Sequence, residues 1–216
     1  MSSKIIIRVS ALTALSFLAA GCASDQGQKM SKQTVTSVSQ TRTALMNSDK
    51  EIQESLDALN MLEKQNTDLT SAFTVFKKEV QDVKKQAANV RTAATDMRTR
   101  ATEYRSEWRA DIGTLSNEEL RQSARERAQT VEKRFERINE LYSQVNINYG
   151  PYVSDLDDLQ KFLSNDLTSR GVTAASPAFN KARTDGEKLR SSIRELSSEL
   201  EQTSTALSPT TAPAAR

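Results

Sequence analysis

The chain of 216 residues contains no histidine and a single cysteine. Histidine is the side chain that most often serves as a general base near neutral pH or as a metal ligand, so its absence removes the usual catalytic triads and metal centres. One cysteine excludes an internal disulfide bond and a cluster of cysteine ligands. Carboxylates are plentiful, but charge runs on helices are typical of solvated faces. We therefore predict no enzyme, no metal and no cofactor.

Glycine and proline are also scarce, with six and four residues, and aromatic residues make up 5% of the chain. Because tight turns need glycine and proline, a sheet fold is disfavoured. The hydrophobic fraction of 37% is low for a compact, multilayer core. Charge is balanced, with 30 Lys and Arg against 28 Asp and Glu, so nothing in the overall charge points to nucleic acid.

The N-terminal segment has the pattern of a secretion signal. Lys4 and Arg8 form a basic start, and residues 9–20 are twelve apolar or small residues. That run is too short to span a bilayer, which takes about 20 residues, but it suits the apolar region of a signal peptide. Removal of residues 1–21 would leave equal numbers of basic and acidic residues.

The apolar run ends in Leu18-Ala19-Ala20-Gly21-Cys22, which resembles the lipobox of bacterial lipoproteins. The resemblance implies cleavage before Cys22 and lipidation of its thiol, because this cysteine is the only one in the chain. Ala23 and Ser24 follow, and the lack of Asp directly after the cysteine resembles lipoproteins sent to the outer membrane rather than retained in the inner one. The alternatives are an ordinary cleaved signal and an uncleaved anchor.

After a polar tether over residues 22–33, the chain is dominated by heptads. Apolar residues recur at steps that alternate between four and three: Leu69, Phe73, Phe76, Val80, Val83, Ala87, Val90, Ala94, Met97, Ala101, Tyr104 and Trp108. This 3.5-residue period predicts a coiled-coil seam with left-handed supercoiling. Similar stripes occupy residues 35–62, 120–149, 152–167 and 179–207, and residues 65–68 are the expected break in the first long helix.

Local signals predict where the later helices begin and end. Ser116 is expected to be an N-cap, with Glu119 as its capping-box partner and Leu115 and Leu120 as a hydrophobic staple. Three further boundary signals are Gly150-Pro151 as a stop or kink, Gly171 as the end of the third stripe, and Ser176-Pro177 as the N-cap and first residue of the last helix. The expected fold is all-α: an elongated antiparallel helical bundle of spectrin-like proportions over residues 34–207, with a disordered tail at 208–216.

A second resemblance lies within the helical region. Its motifs are similar to those of an uncharacterised bacterial family of helical envelope proteins, a domain of unknown function, and the residues concerned are Trp108, Arg109, Asp111, Ile112, Ser116, Asn117, Leu120, Arg121, Phe162, Leu163 and Gly171. The resemblance supports the helical architecture and implies no activity.

A basic ridge runs beside the main seam. With Phe73 at position a, the e positions are all cationic, and they are Lys77, Lys84, Arg91, Arg98 and Arg105. Residues seven apart stay on one side of a supercoiled seam. One hypothesis is that this ridge pairs with acids of a neighbouring helix, with Glu118, Glu126, Glu132 and Asp155 as candidates. The other is that it binds an external anion, such as a lipid headgroup, an envelope polysaccharide or an acidic helix.

Two classes of function fit these patterns. The first is a membrane-anchored, non-catalytic scaffolding lipoprotein of the bacterial cell envelope. The second is an adaptor or sensor module that captures a periplasmic partner through a helical face. Residues 35–62 carry heptads without an obvious partner helix in the chain, so they are expected either to self-associate or dock a partner, or to fold back as a further antiparallel helix.

Overall fold

A computed structural model describes residues 22–64 and 68–208, with side chains from Gln26 onward. These residues form helices and no strand, which confirms the all-α prediction. The helices are α1 (Cys22–Glu63), α2 (Leu69–Thr114), α3 (Glu118–Asn165), α4 (Ser169–Ala174) and α5 (Ser176–Leu207). α1 begins at Cys22, so residues 22–33, expected to be a tether, are helical. The signal segment 1–21 and most of the predicted tail, residues 209–216, lie outside the described residues.

The four long helices form an antiparallel bundle. α1 packs against α2 and α5, and α3 packs against the same two helices. Each neighbouring pair is joined by hydrogen bonds or ion pairs: Thr41 with Ala93, Asp49 with Arg190, Arg105 with Glu132, and Arg134 with Glu199. None of the described helices has a stretch long and apolar enough to cross a bilayer.

The core follows the heptad seams closely. Every α5 residue that the seam predicted is buried: Phe179, Ala182, Gly186, Leu189, Ile193, Leu196, Leu200, Thr203 and Leu207. In α1, the stripe that lacked an obvious partner is also buried, with Val38, Leu45, Ile52 and Leu59 fully enclosed. The expectation that residues 35–62 offer a free apolar stripe for self-association is therefore wrong, because α2 and α5 cover it. The alternative, that this segment folds back on the bundle, is correct.

The predicted break at residues 65–68 separates α1 from α2. Asp68 caps α2, since its Oδ1 accepts hydrogen bonds from the backbone N–H groups of Thr70 and Ser71. The hydroxyl of Ser71 donates to Oδ2 of the same carboxylate at 2.6 Å. These bonds to the charged form lower the pKa of Asp68. The chain thus reverses here instead of continuing as one rod.

The turn between α2 and α3 differs by one residue from the expectation. Asn117, and not Ser116, is the N-cap, and its Oδ1 accepts a hydrogen bond from the Leu120 N–H at 2.9 Å. The predicted staple is also wrong in part, because Leu120 is 60% exposed. An asparagine caps as well as a serine does, so the sequence left two neighbouring residues competing for one position.

Gly150-Pro151 does not stop α3, which continues to Asn165 with Pro151 inside it. A proline at this point removes one backbone hydrogen bond and costs about 3 kcal/mol in a helix interior. Tyr149 and Tyr152 flank it and are buried in the core, whereas Pro151 is exposed. Burial of these two side chains on either side outweighs the penalty.

The boundary between α4 and α5 is likewise shifted. Gly171 lies inside α4 rather than at the end of a stripe, and a Cβ there would clash with the Asp166 carbonyl oxygen. Ser176 is the first residue of α5 and Pro177 the second, so Ser176 is not the N-cap. Ala175 occupies the N-cap position without a side-chain hydrogen bond, and Pro177 in the first turn has no N–H group that would need one.

Candidate functional site

The basic ridge of α2 faces α3, and parts of it are paired within the chain. Nζ of Lys84 lies 2.5 Å from Oδ1 of Asp157. Arg105 lies 2.5 Å from Glu132, which was one of the expected acidic partners. The other three expected partners contact residues outside the ridge: Glu118 pairs with Arg121, Glu126 accepts from Gln122, and Asp155 pairs with Lys181.

Three of the ridge cations lie over the faces of aromatic rings. Nζ of Lys77 lies 5.0 Å from the centroid of the Phe73 ring on the same helix. The guanidinium of Arg98 lies 4.8 Å from the Tyr142 ring of α3. Arg105 lies 5.4 Å from the Phe135 ring in addition to its ion pair. Contacts between a cation and a ring face contribute about 0.5–1 kcal/mol at exposed sites.

Arg91, at the centre of the ridge, is exposed and has no ion pair with the described residues. It lines a groove of about 670 Å³ between α2 and α3. The other lining residues are Lys84, Ala87, Arg98, Asn139, Tyr142, Ser143, Asn146, Tyr149, Gly150 and Val153. Three of the lining residues are cationic and none is acidic, so the groove presents positive charge beside amide and hydroxyl groups.

Small residues line part of the groove. Ala87 of α2 and Gly150 of α3 both border it, and a Cβ on Gly150 would meet no atom within 4 Å. Guanidinium groups bind carboxylates and phosphates through several hydrogen bonds at once. With the amides of Asn139 and Asn146 opposite, the groove can bind an anionic group with further hydrogen-bonding atoms.

The sequence analysis missed a set of buried hydroxyl groups on α1. Thr34, Thr41, Ser48 and Ser55 are fully buried at strict seven-residue spacing. The hydroxyl groups of Thr34 and Thr41 reach carbonyl oxygens of α2, those of Arg100 at 3.3 Å and Ala93 at 3.1 Å. We call these four residues the hydroxyl row. Their spacing was visible in the sequence, but a search for apolar residues passes over serine and threonine.

The hydroxyl row also contacts α3 across the core. Ser48 hydrogen bonds with the Tyr149 hydroxyl, and Ser55 lies 2.5 Å from the Tyr152 hydroxyl. Burial raises the pKa of Tyr149 to about 12, and the pKa of Tyr152 is raised for the same reason. Both tyrosines are therefore neutral at physiological pH and serve as buried hydrogen-bonding groups.

The described residues also contain three carboxylates that could hold a metal ion. Glu51 of α1 and Glu79 and Asp82 of α2 each place one oxygen within 4.8 Å of the others. They lie in a cleft between α1 and α2, apart from the groove between α2 and α3.

The residues that carry the family resemblance mostly shape turns. Trp108 packs against Tyr104 with 5.6 Å between ring centroids, and Arg109 pairs with Glu132. Asn117 caps α3, and Nε of Arg121 donates to the Leu115 carbonyl at 3.0 Å. These contacts hold the reversal between α2 and α3 in place.

The fold places the protein among all-α antiparallel helical bundles. Residues 22–207 match the family described as "Protein of unknown function (DUF2959)", and the chain belongs to this family. No curated protein matches the chain.

Proposed function

We propose that the protein is a non-catalytic scaffolding lipoprotein of the bacterial cell envelope, anchored by lipid on Cys22. The observation that carries the proposal is a coincidence of boundaries. The family match begins at Cys22, which is the residue before which the lipobox-like sequence predicts cleavage. The lipobox-like sequence would place cleavage and lipid attachment at that boundary, so the anchor would join the bundle without a long linker.

The bundle geometry supports a role as a spacer or scaffold. Gly27 of α1 lies beside Asp111, near the end of α2, so the lipid would sit at the end of the bundle that carries the turn between α2 and α3. At a rise of 1.5 Å per residue, the 42 residues of α1 extend over about 60 Å. Two or more acyl chains hold a protein stably at a bilayer. The bundle would then project into the periplasm from an outer-membrane anchor.

Mass spectrometry of the mature N-terminus tests the anchor. We expect the mature chain to start at Cys22 and to carry acyl chains on it. In Cys22→Ser, the lipidated form should be absent, and the protein should be found either soluble or as the uncleaved precursor. The matched control is Ser24→Ala, which alters a neighbouring residue but keeps the lipid attachment site. Cleavage at another position, or an unmodified Cys22, contradicts the proposal.

A second candidate function is capture of an anionic partner by the groove between α2 and α3, which would make the protein an adaptor or sensor. The specific support is Arg91, which has no ion pair with the described residues and lies with Arg98 opposite Asn139 and Asn146. A scaffold alone gives no reason for Arg91, the ridge cation that has neither an ion pair nor a ring contact with the described residues.

Site-specific photo-crosslinking in intact cells tests the adaptor function. A photoreactive residue at Ser143, inside the groove, should give a defined adduct, and one at exposed Ser191 of α5 serves as the control position. We expect the adduct from position 143 to disappear when Arg91 and Arg98 are both changed to Glu. An adduct that is insensitive to this charge reversal, or no adduct at all, contradicts capture by the groove.

A further inference from the structure

Three carboxylates converge where α1 crosses the first half of α2. Glu79 and Asp82 lie three residues apart on one face of α2, and Glu51 approaches them from α1. One oxygen from each carboxylate lies within 4.8 Å of the others. The side chains of Glu51, Glu79 and Asp82 are 18%, 9% and 32% exposed, so the cluster is largely withdrawn from solvent.

The two carboxylate oxygens of Glu79 differ in their hydrogen bonding. Its Oε1 accepts a hydrogen bond from Nζ of Lys78 at 3.0 Å. Its Oε2 is buried and has no hydrogen-bond partner among the described residues. A buried oxygen of a charged group without a partner is costly, because nothing replaces the water it has lost. This oxygen belongs to one of the three clustered carboxylates, so Glu79 offers a ligand atom that no group of the described residues occupies.

The charges around the cluster favour a cation. The cleft is about 550 Å³, and the charged residues that line it are Lys50, Glu51, Glu54, Asp57, Lys78, Glu79, Asp82 and Lys85. The five carboxylates outnumber the three ammonium groups. Nζ of Lys78 also binds Asp82 at 2.8 Å, while Nζ of Lys50 binds Glu54 at 2.7 Å and stays 4.0 Å from Glu51. The lysines thus neutralise the rim and leave the inner oxygen of Glu79 unpaired.

We propose that Glu51, Glu79 and Asp82 bind a divalent metal cation, Ca²⁺ in preference to Mg²⁺. Carboxylate oxygens are the ligands that hard cations prefer. Mg²⁺ dehydrates reluctantly and is usually held by one or two carboxylates, whereas Ca²⁺ takes more oxygen ligands in a flexible geometry, so a group of three carboxylates favours Ca²⁺. Such an ion would join α1 to α2 and stabilise the bundle at this end.

Calorimetric titration of CaCl₂ into the full chain, purified in a non-ionic detergent and freed of metal with EGTA, tests the site. We expect saturable binding of one Ca²⁺ per chain, weaker binding of Mg²⁺, and a higher melting temperature in Ca²⁺. Glu79→Gln and Asp82→Asn should each weaken binding at least tenfold. The control is Glu201→Gln, which changes an exposed carboxylate of α5 that pairs with Arg42 of α1, and it should leave binding unchanged.

Lys78→Gln should change the affinity for Ca²⁺ in the opposite direction. It removes the ammonium group that competes for Glu79 and Asp82, so Ca²⁺ should bind more tightly while the fold, followed by circular dichroism, stays intact. Absence of saturable binding, equal affinity for Mg²⁺, or affinity unaltered in all three cleft variants would overturn the proposal.

Discussion

Helix α2 has two faces that pack in different ways. Toward α1, the hydroxyl groups of Thr34 and Thr41 reach backbone carbonyls of α2 directly. Toward α3, long side chains such as Lys84 and Arg105 reach across to acids, and a groove of about 670 Å³ remains between the helices. A threonine hydroxyl is attached to Cβ, so its contact with a facing backbone requires the two helices to lie close together.

The difference shows how residue size on the facing helix determines what an interface can do. Thr34 and Thr41 occupy buried positions of the α1–α2 interface and offset the cost of burial by bonding to carbonyl oxygens of α2. The α2–α3 interface has Ala87 and Gly150 along its groove and cations at its edge, so the groove stays open to solvent. We therefore expect substitutions at these two threonines to change stability more than substitutions in the groove.

Overfilling the close interface should have the largest effect. Thr41→Leu places a larger side chain at a fully buried position that faces the Ala93 carbonyl. Overpacking of this kind costs about 1–3 kcal/mol, and the lost hydrogen bond places the expected loss near the upper end. For a chain of this size the melting temperature should fall by roughly 6–12 °C. Thermal unfolding followed by circular dichroism measures the change.

Ala87→Leu is the matched substitution on the other face of α2. Ala87 is partly buried and lines the groove, so the added carbons can occupy open space. We expect the free energy of unfolding to change by less than about 1 kcal/mol. Equal destabilisation by Thr41→Leu and Ala87→Leu would contradict the contrast between the two interfaces.

Burial of Tyr149, which hydrogen bonds with Ser48 of the hydroxyl row, predicts a loss of stability in alkali. An unfolded tyrosine has a pKa of about 10, whereas burial raises the pKa of Tyr149 to about 12. The stability that this shift provides is complete below pH 10 and is lost as the pH rises toward 12, on the order of 2 kcal/mol. Denaturant unfolding between pH 8 and pH 11.5 measures it. Because burial also raises the pKa of Tyr152, Tyr149→Phe should remove part of the pH dependence and the double variant with Tyr152→Phe most of it. The same steep decline in the double variant would show that other groups cause it.

The fold could be predicted because burial and heptad position coincide in this chain. The seam from Phe179 to Leu207 was read from spacing alone, and each of its members is buried. The details that failed depend on contacts between elements. Nothing local shows that α3 continues past Pro151, since burial of Tyr149 and Tyr152 on either side decides the outcome.

The candidate sites were predicted only in part, for a similar reason. The heptad spacing places five cations along one side of α2, but spacing alone cannot assign each cation a partner. Lys84 and Arg105 pair with acids of α3, whereas Arg91 lines the groove together with Ala87 and Gly150. The cluster of Glu51, Glu79 and Asp82 combines residues from two helices, and no motif in the sequence joins them.

Charge reversal along the ridge should have a small effect on stability, and it should distinguish Arg105, which is paired, from Arg91, which has no ion pair with the described residues. Arg105→Glu breaks the ion pair with Glu132, where both side chains are less than a third exposed, and places two carboxylates together, so it should cost about 1 kcal/mol. Arg91→Glu removes no ion pair with the described residues, so the free energy of unfolding should change by less than about 0.5 kcal/mol. Urea unfolding at low salt compares the two variants, and at 1 M NaCl, where the Debye length is about 3 Å, the cost of Arg105→Glu should shrink. If Arg91→Glu lowers the free energy of unfolding as much as Arg105→Glu does, Arg91 takes part in the packing of the bundle. The groove would then have no cation free to bind an anion at its centre.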